Sequence, residues 1–154
     1  MNRRRAMAVL ALLGILDSVY LLLAKLGYIG SLSCSVSHGC DLVNASVYSS
    51  FAGVPVAGIG LVGYVVLLAI AVAGLQPTWL EARWPDTTLA VLSGVGLLFS
   101  LRLTYYELFA LNAICQWCVV SQLAILLIFV FSLAGVFRRE AADSRCPISD
   151  QRRS

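Results

Sequence analysis

AICQWCVVSQLAILLIFVFSLAGVF, residues 113–137, decides the fold. It holds no charged side chain and exceeds the roughly 20 residues a helix needs to cross a bilayer's hydrocarbon core. It is too long and too evenly apolar for the ten-residue in/out alternation of a membrane β-strand. Three further stretches read the same way: Ala6–Leu26, Pro55–Leu75 and Thr88–Leu111. With Ala113–Phe137 they make four expected spans. Of the 154 residues, 60% are hydrophobic and 12% charged, against about 25% charged in a soluble domain. The mean hydropathy is +0.87. A chain this small cannot bury so much apolar surface in water. That excludes a nucleic-acid-binding module, a soluble Rossmann or TIM-barrel enzyme and a secreted disulfide scaffold.

Basic residues set the orientation. Arg3, Arg4 and Arg5 precede the first span, Arg83 lies between the second and third, and Arg138, Arg139, Arg145, Arg152 and Arg153 follow the fourth. Four spans put all of these on one side, which is cytoplasmic by the positive-inside rule. Both termini are therefore expected in the cytoplasm. The loop Gly27–Val54 and the turn at Asn112 fall on the other side, facing a periplasm or cell exterior across a plasma (inner) membrane. The first span contains Asp17 and no small-residue cleavage site follows it, so it reads as an uncleaved anchor. Gln76–Asp86, with Trp79 and Trp84, reads as an interfacial connection. Residues 1–137 are expected to form one domain and 138–154 a disordered cytoplasmic tail.

Four of the five cysteines lie on the non-cytoplasmic side. Cys34 and Cys40 are spaced C-x5-C in the long loop, and Cys115 and Cys118 form C-x-x-C where the fourth span begins. Two structural disulfides are one reading, since an oxidising compartment favours them. A C-x-x-C bridge closes only a tiny loop, so it is a poor staple. At a helix N-terminus it is a good redox pair, because that position lowers a thiol pKa. A four-cysteine zinc site has suitable ligand types, but C-x5-C is wider than usual zinc spacing and one pair sits at the membrane edge; no metal is expected. Asn112 is the expected N-cap of the fourth helix, with Cys115 in the first turn and Cys118 a turn deeper, on the same face. Val43, Val47 and Phe51 recur at i, i+4 and i+8, which predicts a short amphipathic lid helix over Asp41–Phe51 with Cys40 at its start, near Cys115. His38 is read as a solvated loop residue and Cys146 as a free cytoplasmic thiol. The fold class is thus all-α: an integral membrane four-helix bundle with an external loop and a short lid helix.

The order C-x5-C, D-x-V-x-x-S-x-Y, G-V-P and a distant C-x-x-C on the last helix resembles the bacterial form of the vitamin K epoxide reductase family. Ser18-Val19-Tyr20 and Lys25 add to the likeness, which runs through Asp17–Cys118. The other four-helix quinone-linked oxidase, the disulfide bond formation protein B family, carries its C-x-x-C in the first external loop, the reverse order. The resemblance implies a bundle around a quinone pocket (ubiquinone or the menaquinone/vitamin K type). It implies that Cys118 reacts with the quinone, that Cys115 resolves, and that Cys34 and Cys40 bring electrons from a thioredoxin-fold (DsbA-like) dithiol protein. Ser46 matches a serine or threonine of the family's lid. Many bacterial members carry a fused thioredoxin-like domain; here only Arg138–Ser154 follow the fourth span, so the partner is expected to be separate.

No motif fixes the pocket. Candidate quinone contacts are Ser46, Tyr20, Val56, Gly60, Tyr64, Tyr105, Tyr106 and Gln122, with Tyr105 and Tyr106 equally readable as interfacial aromatics. Asp17 and Arg102 lie inside spans, where charges are expected to pair or to serve function. Their similar depth predicts an ion pair, or alternatively a proton path. Glu107, near the external end of its span, is expected to be hydrated. The expected function is a quinone-dependent thiol oxidoreductase supporting disulfide formation. The alternatives are a reductase of a small quinone or quinone epoxide, and a non-catalytic bundle with structural disulfides.

Overall fold

Backbone within hydrocarbon must satisfy its own hydrogen bonds, so apolar runs of this length become helices. The computed structural model describes residues 2–30, 32–33, 39–46, 49–51, 53–76, 79 and 83–144. Its elements are α1 (Asn2–Lys25), α2 (Cys40–Ala45), β1 (Ser50–Phe51), β2 (Val54–Pro55), α3 (Val56–Ala73), α4 (Trp84–Phe109) and α5 (Gln116–Asp143). Helices α1, α3, α4 and α5 are long and apolar enough to cross a membrane. The chain is an all-α, multi-pass membrane bundle. α1 packs chiefly on α3 and α5, and α4 on α5; α3 and α4 touch each other much less. Met7, Ala11, Tyr64, Leu67, Leu89 and Ile128 form the core among all four. Leu16, Val62, Val95 and Leu98 remain exposed on the outer faces, where lipid replaces water.

The helix ends depart from the sequence expectation. α4 starts at Trp84 rather than Thr88, since Pro85 in a first turn forfeits no helical hydrogen bond. α5 starts at Gln116 and continues to Asp143, so the first residues of the expected tail are helical. Asn112 is not the N-cap of α5: it adopts φ +45° in the connecting turn, a left-handed conformation Asn tolerates better than most residues. Cys115 takes the N-cap position instead.

The expected lid helix over Asp41–Phe51 is also corrected. α2 ends at Ala45, and Ser46 is already extended. Phe51 pairs with Val54 across an antiparallel two-residue ladder, β1–β2, turning at Gly53 with φ +82°. Phe51 is therefore exposed while Val43 is buried. Val47 lies outside the described residues.

The arginine-rich end is held by one carboxylate. Asp86, in the first turn of α4, has no exposed side-chain surface and meets Arg3 at 3.2 Å, Arg4 at 3.0 Å and Arg139 at 3.2 Å. Arg4 also donates to the Gly74 carbonyl at the end of α3. All four spanning helices are thereby joined at one end.

Candidate active site

Cys40, Cys115 and Cys118 gather at the opposite end, where α1 and α4 finish and α3 and α5 begin. Cys40 opens α2 and is 1% exposed; Cys115 caps α5 and is 0% exposed. Both belong to one buried cluster with Leu21, Leu32 and Val43. Gly39 makes this approach possible. A Cβ there would stand 3.0 Å from the Ala113 Cβ and 3.1 Å from the Ile114 carbonyl oxygen, so the backbone before Cys40 lies directly on the turn before Cys115. Cys40 is held in a disulfide, whereas Cys115 and Cys118 are free thiols. Cys34, His38 and Cys146 lie outside the described residues.

The loop carrying the first pair is anchored beside the second. The Ser33 N–H donates to the Tyr20 hydroxyl at 3.0 Å, and Trp117 Nε1 donates to the Ser33 carbonyl at 3.1 Å. The rings of Tyr20 and Trp117 lie 4.9 Å apart. Trp117, between the two cysteines of the C-x-x-C, thus grips the residue before Cys34. From the other side Lys25 donates to the Asn44 carbonyl and the Ser49 hydroxyl, tying α1 to the segment after α2.

At the start of α5 the Cys118 N–H donates to Cys115 Sγ at 3.4 Å, and the Cys115 N–H donates to Glu107 Oε2 at 3.3 Å. The hydrogen bond from the Cys118 thiol lowers the Cys115 pKa below the usual thiol range; burial and the nearby Glu107 oppose the shift, and the N–H groups of Cys118 and Trp117 assist it. Cys115 is therefore the more readily ionised sulfur of an N-terminal pair, as helix-end thiols are. Cys118, one turn on, opens into a cavity of about 590 Å³ between α3 and α4. Its wall includes Ser18 of α1, Val56, Gly60 and Tyr64 of α3, Phe99 and Leu103 of α4, and Ser121 of α5. The Tyr64 hydroxyl donates to the Ser121 carbonyl at 2.7 Å, and its ring lies against Gly14, where a Cβ would come within 2.4 Å.

Comparison with known families agrees with this architecture. The model of the Vitamin K epoxide reductase family matches residues 5–133, which include both cysteine pairs. The chain belongs to the vitamin K epoxide reductase family. It is accordingly a membrane oxidoreductase of a quinone-linked family.

Within this family member the sequence candidates separate. Val56, Gly60 and Tyr64 line the cavity beside Cys118. Ser46 and Tyr106 line a small neighbouring pocket of about 40 Å³, and the Ser46 hydroxyl donates to the Val43 carbonyl at 2.7 Å. Tyr20 lies outside the cavity wall and holds the loop. Gln122 also lies outside it, accepting from the Thr104 hydroxyl at 2.7 Å. Tyr105 stacks on Phe109 at 4.6 Å and is exposed. The expected Asp17–Arg102 pair is not formed. Arg102 faces outward, donates to the Tyr106 hydroxyl at 3.0 Å and lies over that ring. Among the described residues neither oxygen of the buried Asp17 makes a close hydrogen bond, and the side chain of Ser121 is its hydrogen-bonding neighbour. Equal depth did not mean a shared face. Glu107, expected to be hydrated, is instead 6% exposed and turned to the cysteines.

Proposed function

We propose that the protein is a thiol oxidase that takes electrons from a separate thioredoxin-fold dithiol protein through Cys34 and Cys40 to Cys115 and Cys118, and from there to a quinone. One observation carries the reading: Cys40 and Cys115 are buried together, and one turn further Cys118 borders a cavity of about 590 Å³. That size lies within the 300–1,000 Å³ of small-molecule sites, which are mostly apolar with a few polar anchors. Here the anchors on offer include Ser18, Asn44, Tyr64 and Ser121.

The partner's thiolate attacks Cys34, whose bond to Cys40 breaks, and Cys40 leaves with the electron pair. The partner's second thiolate closes its own disulfide and frees Cys34. Cys40 then attacks Cys115, and Cys118 leaves. Cys34 attacks Cys40, which restores the loop disulfide and frees Cys115. Cys118 and Cys115 re-form their disulfide as two electrons pass into the cavity. A quinone bound there accepts both electrons with two protons and departs as quinol. The basic residues at the far end support an orientation with the four cysteines on the non-cytoplasmic side, by the positive-inside rule.

The test is loss of quinone absorbance by purified protein fed with a reduced thioredoxin-fold protein, in wild type, Cys34→Ala and Cys118→Ser. Turnover that collapses in both variants supports the relay. Turnover with a small dithiol but never with protein thiols would make the enzyme a small-quinone reductase. No turnover with either donor, or wild-type turnover by Cys118→Ser, overturns the proposal.

A further inference from the structure

The relay leaves one proton without a carrier. Cys118 gives up its proton whenever the inner pair is oxidised and regains one whenever the pair is reduced, yet its surroundings at the start of α5 are largely apolar. Among the described residues Glu107 is the carboxyl nearest the inner cysteines. Its carboxylate accepts the Cys115 N–H at 3.3 Å, and the Cys118 N–H donates to the Cys115 sulfur at 3.4 Å, which brings the Cys118 thiol within electrostatic reach of Glu107. It is itself 94% buried, from its 6% exposure. On its other side lies the pocket of about 40 Å³ lined by Ser46, Ser49, Tyr106 and Glu107, room for a water. Ser49 in turn accepts from Lys25 at the end of α1.

We propose that Glu107 is a catalytic acid–base residue that exchanges a proton with Cys118, taking it when the inner pair is oxidised and returning it when the pair is reduced. The inference rests on the thiol relay above and adds the proton's route. When Cys40 attacks, the Cys40–Cys115 bond forms, the Cys115–Cys118 bond breaks, and the departing Cys118 sulfur takes the proton of Glu107. On re-oxidation Cys118 returns that proton to Glu107. The two electrons go to the quinone, and the two protons of the Cys115–Cys118 dithiol accompany them, one by way of Glu107, which then takes a fresh proton from water before the next cycle. Among the described residues the titratable groups around Glu107 are Cys115 and Cys118 on the α5 side and Tyr106 on α4. The segment after α2 faces it with the hydroxyls of Ser46 and Ser49, and Lys25 stands behind Ser49. The pocket gives the carboxyl a wet side for re-equilibration with bulk.

Glu107→Gln tests the proton separately from the scaffold, because the amide oxygen can still accept the Cys115 N–H. The first readout is quinone-free. Oxidised full-length protein is mixed with dithiothreitol, quenched by alkylation, and the appearance of inner-pair thiols followed by mass. The expected result is a fall of about 10²-fold in rate, the usual worth of a positioned acid–base group, with Glu107→Asp between the two. The second readout is the infrared S–H band of reduced Cys118, expected to change in Glu107→Gln and to stay fixed in Asp17→Asn. If Gln is not tolerated, Glu107→Asp must slow the exchange and alter the band. A Glu107→Gln rate within about threefold of wild type, or an unaltered S–H band, overturns the proposal. If wild type passes no electrons inward, the relay itself has failed, and the S–H band alone decides whether the thiol and carboxyl are partners.

Discussion

Removing the carboxylate of Asp86 should loosen the whole arginine-rich end of the bundle. Its three partners differ in exposure. The Arg4 side chain is 8% exposed, against 28% for Arg3 and 26% for Arg139. In Asp86→Ala, Arg3 and Arg139 can swing toward water and headgroups, so each lost pair costs about 0–1 kcal/mol. Arg4 cannot follow, and an abandoned buried charge costs about 3–5 kcal/mol. Its remaining acceptors, the carbonyls of Gly74 and Trp79, place the total near the lower end, about 3 kcal/mol. The assay is unfolding by sodium dodecyl sulfate in mixed dodecyl maltoside micelles, read by circular dichroism. Arg4→Met in the Asp86→Ala background should recover much of the loss, because it removes the stranded charge. A single-variant loss under about 1 kcal/mol, or a double variant no more stable than Asp86→Ala, would refute the reasoning.

Three further outcomes follow from the site. Gly39→Ala should push Cys40 off the Ala113–Ile114 turn by a few tenths of an ångström and slow dithiol transfer to the inner pair by about tenfold, since reacting sulfurs tolerate little displacement; unchanged quenched-alkylation kinetics would contradict it. In the dithiol form Cys115 ionises below the usual thiol range because Cys118 donates to it, so between that lowered value and the usual one the unfolded chain holds a proton the folded one has lost. Stability should therefore rise with pH across that window, and the slope should diminish in Cys118→Ala when unfolding is followed at several pH values; an unaltered slope would count against that hydrogen bond. Asp17→Asn should keep the fold with an equal or higher unfolding midpoint, because among the described residues Asp17 makes no close hydrogen bond and the amide removes a buried charge while still able to meet the neighbouring Ser121; a loss of more than about 1 kcal/mol would show that the carboxylate itself holds a partner.

What the sequence reveals is mostly depth. The length of an apolar run reports where the backbone must be helical, and basic residues report which ends share a side, so the four spans and the position of the C-x-x-C were readable. Azimuth was not. Asp17 and Arg102 have matching depths yet face different directions, and Glu107 sits near a helix end yet turns inward. A run without charges gives no period from which to tell the packed face from the lipid face. The lid helix forms but is shorter than its spacing suggests, for another reason: Val43, Val47 and Phe51 have helical spacing, but Gly53 and Pro55 permit a two-residue hairpin that claims Phe51. Asp86 was hidden because its three partners come from both distant ends of the chain. Trp117 could have been suspected, since a large aromatic inside a C-x-x-C must pack on something nearby.

The cavity beside Cys118 has its rim on the outside of the bundle. Ile59, Val66, Leu92 and Val95 border it and are themselves exposed on the outer faces of α3 and α4. A ligand that reaches Cys118 this way arrives sideways, out of the acyl chains. The concentration governing its binding is then a mole fraction in two dimensions, and bulk molarity has no direct bearing. Diluting proteoliposomes with inert lipid at constant total quinone should lower the rate, while diluting the whole suspension with buffer should leave the turnover per enzyme unchanged. On the proposed quinone reading, the working substrate level is set by membrane composition, and lipid synthesis alone would change the flux.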